Sequence, residues 1–288
     1  MSLSDELDVD FCFEVALPLV KQAGQEILRG FENKDKEVQS KSFADDLLTE
    51  TDRRVEDLLI AKLKETFPSH RFIGEESVSS GGKFIASTAE PTWIIDPIDG
   101  TTNFVHGYPQ VCVSVALWAQ NCPQLAFVFN PVLDQLFTAK KGRGAFLNGR
   151  KLSVSKTTDL KQALVGGDIL AYQNEVDRLE VSIANAKSVK AIARAFRIPG
   201  SVAITLAYVA MGGLDAYFEQ GPKSWDFAAG VLLVTEAGGV VRSLLGEPFD
   251  LFGRNVLATS TEPLADQLAA ILKPFPCERE GGPGPYKF

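Results

Sequence analysis

Thr92-Trp93-Ile94-Ile95-Asp96-Pro97-Ile98-Asp99-Gly100-Thr101-Thr102-Asn103-Phe104 begins as an apolar strand that runs into an acid. Pro97 then enforces a turn, and a second acid follows three residues after the first. Gly100-Thr101-Thr102 opens a predicted helix. Two carboxylates and the unpaired N–H groups of a helix start thus converge on one point. Cations suit the carboxylates and a phosphate suits the N–H groups, which points to metal-assisted phosphate hydrolysis.

The flanking sequence alternates helix and strand. Residues 11–31 carry apolar side chains at helical spacing (Val15, Leu19, Val20, Ala23, Ile27, Leu28), with Pro18 tolerable near a helix start or at a kink. Asp52 begins a second predicted helix with an apolar face of Val55, Leu58, Leu59, Leu63 and Phe67, ended by Pro68. Phe72-Ile73 reads as a short strand leading into Gly74-Glu75-Glu76. After the central motif, residues 111–118, 125–130 and 135–139 read as strands, with turns at Gly142, Gly144 and Asn148-Gly149. Strands at 164–168, 214–218 and 240–243 and helices at 175–195, 201–211, 226–237 and 262–272 complete the pattern. The alternation predicts an α/β layered architecture with sheets covered by helices. A single catalytic domain is expected over 1–275, followed by a Pro/Gly-rich tail at 276–288 that reads as disordered from about Pro274.

Composition bounds the function. The chain has 288 residues, 45% hydrophobic and 23% charged, as in an ordinary globular protein. A net charge of −8 without any basic stripe argues against nucleic acid as partner. It also sets a puzzle for a phosphate substrate, which bound cations resolve by reversing the local field. No apolar run approaches the ~20 residues that span a bilayer, and the acidic N-terminus lacks a signal-peptide core. Cys12, Cys112, Cys122 and Cys277 form no CxxC pair or zinc spacing and read as reduced thiols in a cytoplasmic protein, Cys277 being exposed near the tail.

Three acids stand at the ends of predicted elements beside apolar runs: Glu75 after Phe72-Ile73, Asp96 after Ile94-Ile95, and Asp226 beside Trp225. Taken singly, an Asp-Pro is a turn, Glu75-Glu76 a solvated pair and Asp226 a helix N-cap. Taken together, carboxylates near a core need partners, and divalent cations serve where no arginine is adjacent. Other phosphatase chemistries lack their residues. There is no Cys-x5-Arg, no Arg-His-Gly, no Asp-x-Asp in the central motif and no GxxxxGK[ST] loop. Metal-activated water remains.

Gly74-Glu75-Glu76, the Asp96–Phe104 run and Trp225-Asp226-Phe227-Ala228-Ala229-Gly230 resemble, in order and separation, the three signature motifs of the inositol monophosphatase family. Glu236-Ala237-Gly238-Gly239 and the hairpin from Gly142 to Gly149 fit the same pattern, and the resemblance covers about residues 11 to 273. It implies a layered αβαβα sandwich of the inositol monophosphatase and fructose-bisphosphatase type. It also implies a homodimer, two to three Mg²⁺ ions per subunit and inhibition by lithium. On the matched positions, Glu75, Asp96 and the Ile98 carbonyl would hold a first metal, and Asp96, Asp99 and Asp226 a second. A metal-bound water would be oriented by Glu75 and the Thr101 hydroxyl, with Asp52 hydrogen-bonded to that threonine. Asp99, Gly100 and Thr101 would meet the phosphate end of the substrate. Gly200, Ser201, Val202 and Glu219 would meet its alcohol, and Lys41 would lie on a loop near the metals. Asp52 as a helix N-cap, Lys41 as an exposed lysine and Glu219 as a solvated acid at a strand end are the plainer alternatives.

The sequence departs from the family pattern at Pro199, Val202 and Lys223. A valine at 202 is expected to narrow the polyol pocket, and Lys223 reads as an outward-facing lysine near its rim. The expected activity is hydrolysis of myo-inositol monophosphate to inositol and phosphate. The alternatives are a sugar 1-phosphate, histidinol phosphate or a 3′-phosphonucleotide with the same chemistry. A scaffold without catalysis would require loss of a metal ligand, and none is lost.

Overall fold

The computed structural model describes residues 7–34, 38–40, 47–81, 84–169 and 176–282. The N-terminal spacing becomes α1 (Val9–Glu32), capped by Asp8, which accepts from Phe11 N at 2.9 Å, and Pro18 lies inside it. β1 (Val38–Ser40) and β2 (Leu47–Thr49) form an antiparallel pair ahead of α2 (Glu50–Thr66). Thr49, not Asp52, is the N-cap of α2, and Asp52 closes a capping box by accepting from Thr49 N at 2.8 Å. β3 (Arg71–Gly74) leads straight into α3 (Glu75–Ser79), and β4 (Thr92–Asp99) into α4 (Thr101–His106). β5 (Cys112–Ala119), β6 (Cys122–Asn130), β7 (Gln135–Lys140), β8 (Gly144–Leu147) and β9 (Arg150–Lys151) then meander, so that β3 to β9 lie side by side in chain order.

The second half supplies β10 (Leu164–Gly167), α5 (Val176–Ile192), β11 (Ala195–Arg197), α6 (Val202–Ala210) and β12 (Ala216–Gln220). These are followed by α7 (Ser224–Phe227), α8 (Gly230–Glu236), β13 (Val240–Arg242), β14 (Asn255–Thr259) and α9 (Glu262–Ala269). Its sheet runs β11-β10-β12-β14-β13. β11 and β14 escape the sequence pattern because each is a short run without alternation. The single helix expected at 226–237 is two, α7 and α8.

Pro97 does not end its strand. β4 continues to Asp99 through a bulge: Asp96 pairs with Ser114 and Asp99 with Cys112, so three steps on β4 match two on β5. Pro97, with no N–H to offer the ladder, sits inside the irregularity. In a regular strand residues 96 and 99 would point to opposite faces. The extra residue restores their parity. Trp93, Ile95 and Ile98 belong to one buried cluster and Ile94 to the other, which places Asp96 and Asp99 together on the Ile94 face.

Three apolar clusters separate five layers. Val20, Ala23 and Ile27 of α1 and Val55, Leu59 and Leu63 of α2 cover one face of the seven-stranded sheet through Trp93, Ile95, Val115 and Phe127. On its other face Ile94, Ala116, Val128 and Phe137 meet α6 and α8, which also meet Tyr217, Val256 and Ala258 of the second sheet. Val165, Phe218 and Leu257 complete the stack against Val189 of α5 and Leu264 and Leu268 of α9. The order is αβαβα. Glu236 at the end of α8 accepts from Gly142 N at 2.6 Å and Gly144 N at 2.7 Å, so the glycine hairpin and the Glu-Ala-Gly-Gly motif are one structural clasp. Among the described residues no helix is long and apolar enough to cross a membrane.

Candidate active site

The bulged end of β4, the start of α3 and the short α7 bring the acidic residues to one place. Carboxylate oxygens of Asp96, Asp99 and Asp226 lie within 4.8 Å of one another. Asp96 and Asp99 are 1% and 6% exposed. Glu75, the first residue of α3, adds its charge to those of Asp96, Asp99 and Asp226. Burial foremost, then mutual repulsion, pushes the carboxyls of Asp96 and Asp226 far above the usual carboxylate range. Asp99 is pushed up to about 6 by burial, against the pull of hydrogen bonds from Ser201, Ala203 and Val202. Asp96 Oδ1 is buried without a hydrogen-bond partner. Converging acids with an orphaned oxygen fit divalent cations.

Gly100 opens α4 at φ +89°, a left-handed backbone that L side chains resist. The first-turn N–H groups of α4 have no acceptor within the helix, as an anion site requires. The Thr101 hydroxyl donates to the Ile98 carbonyl at 3.0 Å. Asp52 is fully buried and accepts from Thr49 N, so its described hydrogen bonds go to the α2 cap and not to Thr101. Ser201 Oγ and Ala203 N donate to Asp99 Oδ2 at 2.5 and 2.6 Å, and Val202 N to Oδ1 at 3.2 Å. The segment expected to meet the alcohol therefore also grips a metal-ligand candidate. The Val202 side chain belongs to the core between the sheets, which differs from the pocket-narrowing role expected of it. Glu219 in β12 is 4% exposed, not a solvated strand end. Its Oε2 accepts from Tyr217 OH and its Oε1 has no partner.

A family model described as the inositol monophosphatase family matches residues 8–274. The chain belongs to the inositol monophosphatase family. It is 43% identical over 265 residues to inositol monophosphatase 2 of Rattus norvegicus, covering 92% of this chain and 90% of the rat protein. Inositol monophosphatase 1 of Homo sapiens is 41% identical over 270 residues, covering 93% and 96%. The crystal structure of the extragenic suppressor protein suhB from Bartonella henselae superposes with a TM-score of 0.82 at 31% identity, covering 91% of this chain and 98% of that one. Inositol monophosphatases are metal-dependent, and Asp96, Asp99 and Asp226 form the candidate acidic site here.

Two residues that support this inositol monophosphatase site went unread in the sequence. Glu56 of α2, 2% exposed, accepts from Glu76 N at 2.8 Å and Ser77 N at 2.7 Å, fastening the α3 start that carries Glu75. Gly74 is the residue that lets it approach: a Cβ there would lie 2.5 Å from the Glu56 carboxyl carbon. An acid beside the buried stripe of Val55, Leu59 and Leu63 was the available signal. Asn103 Nδ2 donates to Gln110 O, Pro199 O and Gly200 O at 2.9, 3.0 and 3.1 Å, tying α4 to the 199–201 segment. Lys223, expected to face outward, is partly buried, and burial lowers its pKa. Lys41 lies outside the described residues.

The raised carboxyl pKa values fix a sign for stability. Asp99 binds its proton more tightly folded than unfolded, so metal-free stability falls as pH rises from about 4 through 6. Asp96 and Asp226 act in the same direction. The unfolding midpoint in chelator is therefore expected to drop between pH 4 and 7, and saturating Mg²⁺ to remove the drop. Parallel profiles with and without Mg²⁺ would count against a cation at these acids.

Proposed function

We propose that this chain is an inositol-phosphate phosphatase, hydrolysing myo-inositol monophosphate to myo-inositol and phosphate with two to three Mg²⁺ ions per subunit. The observation that carries the reading is the convergence of Asp96, Asp99 and Asp226 oxygens within 4.8 Å, with Asp96 Oδ1 unpartnered. Glu75, Asp96 and the Ile98 carbonyl would hold one ion, and Asp96, Asp99 and Asp226 another. When bound, Mg²⁺ supplies Lewis-acid polarisation and a lowered water pKa.

The chain's own groups do the placing. N–H groups of Gly100 and Thr101 receive the phosphate at the start of α4. The Thr101 hydroxyl is a rotor that can leave Ile98 O for the attacking water, which Glu75 orients on its other side. Ser201 and Ala203 favour the carboxylate form of Asp99, against the effect of its burial, and fix its orientation. The unpartnered Oε1 of Glu219 accepts a hydrogen bond from a polyol hydroxyl, and a substrate without that hydroxyl leaves a buried acceptor unpaired. The leaving alkoxide is protonated by water. We read the enzyme as a cytoplasmic homodimer, by resemblance to the family.

Phosphate release from a panel of inositol, sugar, histidinol and nucleotide phosphates tests this, with Mg²⁺, without it and with added Li⁺. Mg²⁺-dependent preference for inositol monophosphate, inhibited by Li⁺, is the expected outcome. Preference for another phosphate would retain the chemistry and replace the substrate. Turnover independent of any divalent ion would overturn the mechanism.

A further inference from the structure

The tail from Pro274, expected to be disordered, is anchored through Gly282 among the described residues. Phe275 N donates to Gln220 Oε1 at 3.0 Å, and Gln220 Nε2 returns a bond to Phe275 O. Cys277 is 8% exposed, not the surface thiol its position suggested. Arg279 holds Asp250 with two bonds, at 2.9 and 3.1 Å, and its guanidinium lies over the Phe252 ring. Glu280 N donates to Phe252 O at 3.0 Å, and Glu280 is 7% exposed. Its Oε2 accepts from Ser224 N at 2.7 Å, and Ser224 is fully buried.

Two of these anchors fall beside candidate site residues. Gln220 follows Glu219, and Ser224 opens α7, which carries Asp226. α7 is four residues long, and its own Asp226 closes one N-terminal N–H from within, that of Lys223. Lys223 N is taken by Asp226 Oδ2 at 2.6 Å, which leaves the other oxygen of Asp226 for the acidic cluster. Ser224 N is taken by Glu280. Without that acceptor a buried N–H is stranded, at a cost of about 1–3 kcal/mol. A single helical turn has no further turn in which to absorb the resulting shift.

We propose that residues 276–282 form a strap that presets the metal centre, with Glu280 as a positioning residue acting on Asp226 through Ser224. The strap rests on the metal reading above. Glu280 bonds Ser224, two residues ahead of Asp226. It fixes the pitch of α7, and with it the direction in which Asp226 meets Asp96 and Asp99.

The full chain is titrated with Mn²⁺, free ion being read by electron paramagnetic resonance, and with Mg²⁺ during phosphate release. Glu280→Ala is expected to weaken Mn²⁺ binding and raise the half-saturating Mg²⁺ about tenfold, leaving the Mg²⁺-saturated rate within about twofold. Glu280→Gln keeps a carbonyl acceptor for Ser224 N and is expected to restore both to within about threefold of the unmodified chain. Arg279→Ala loosens the strap one residue away and is expected to shift Mn²⁺ affinity the same way by about threefold. Unchanged Mn²⁺ affinity in Glu280→Ala, or an equal loss in Glu280→Gln, overturns the strap. So does unchanged affinity in Arg279→Ala if Glu280→Ala does not fold. An unmodified chain that binds no Mn²⁺ overturns the metal reading and the strap with it.

Discussion

Asp96→Asn should lower turnover by at least about a thousandfold, some 4 kcal/mol of transition-state stabilisation, while making the metal-free chain more stable. Asp96 stands between Glu75, Asp99 and Asp226, all of which raise its pKa, and it is nearly sealed from solvent. Asparagine keeps the shape and removes one of four mutually repelling acids. Its amide also offers a donor to the neighbouring oxygens. Folding of the metal-free chain therefore becomes easier as the cation site is lost. Phosphate release and thermal unfolding in chelator read the two effects separately. Turnover within tenfold of the unmodified chain would sink the assignment of Asp96 as a shared ligand. A fall in metal-free stability would mean that the buried acids are not under the repulsion described here.

Gly100→Ala should cost about 3 kcal/mol of stability and roughly a hundredfold in kcat/KM. The left-handed backbone at Gly100 is one source, worth about 1–2 kcal/mol for an alanine. Contact is the other: a Cβ would lie 2.7 Å from Gln110 O, 3.2 Å from Gly200 O and 3.3 Å from Ser201 Cβ. The first two are backbone atoms that cannot rotate away. Relief requires Gln110 first, and then the 199–201 segment, to retreat from α4, straining the Asn103 bonds to both and drawing Ser201 Oγ off Asp99. Both the anion-binding turn and the orientation of Asp99 are disturbed. Denaturant unfolding together with steady-state kinetics measures this. Unperturbed kinetics in a destabilised protein would separate Gly100 from the site and leave it a purely structural glycine.

Local patterns carried much of the fold. The helical spacing of α1, the long apolar runs of β5 and β6 and the glycine turns each depend on residues a few positions apart, as does the acid at each element end. Glu75, Asp96, Asp99 and Asp226 were legible for that reason, since each sits where an apolar run stops or a helix begins. Short runs without alternation, β11 and β14, were not. Neither was the break between α7 and α8, because the segment is helical in composition throughout.

What the linear chain could not express was parity and distance. Residues 96 and 99 share a face because of a bulge in the pairing of β4 with β5, and pairing is a property of two strands. Glu56 fastens the start of α3, Asn103 ties α4 to Gly200, Ser201 grips Asp99, and Glu280 reaches Ser224. Each of these bonds joins residues far apart in sequence, and each is made by a side chain that would be unremarkable on a surface. Composition and spacing establish which acids this protein brings to its centre, since a buried carboxylate at an element end needs a partner wherever it occurs. Their aim depends on long-range hydrogen bonds in a closed core, where a polar group must find its acceptor among whatever the fold has placed beside it.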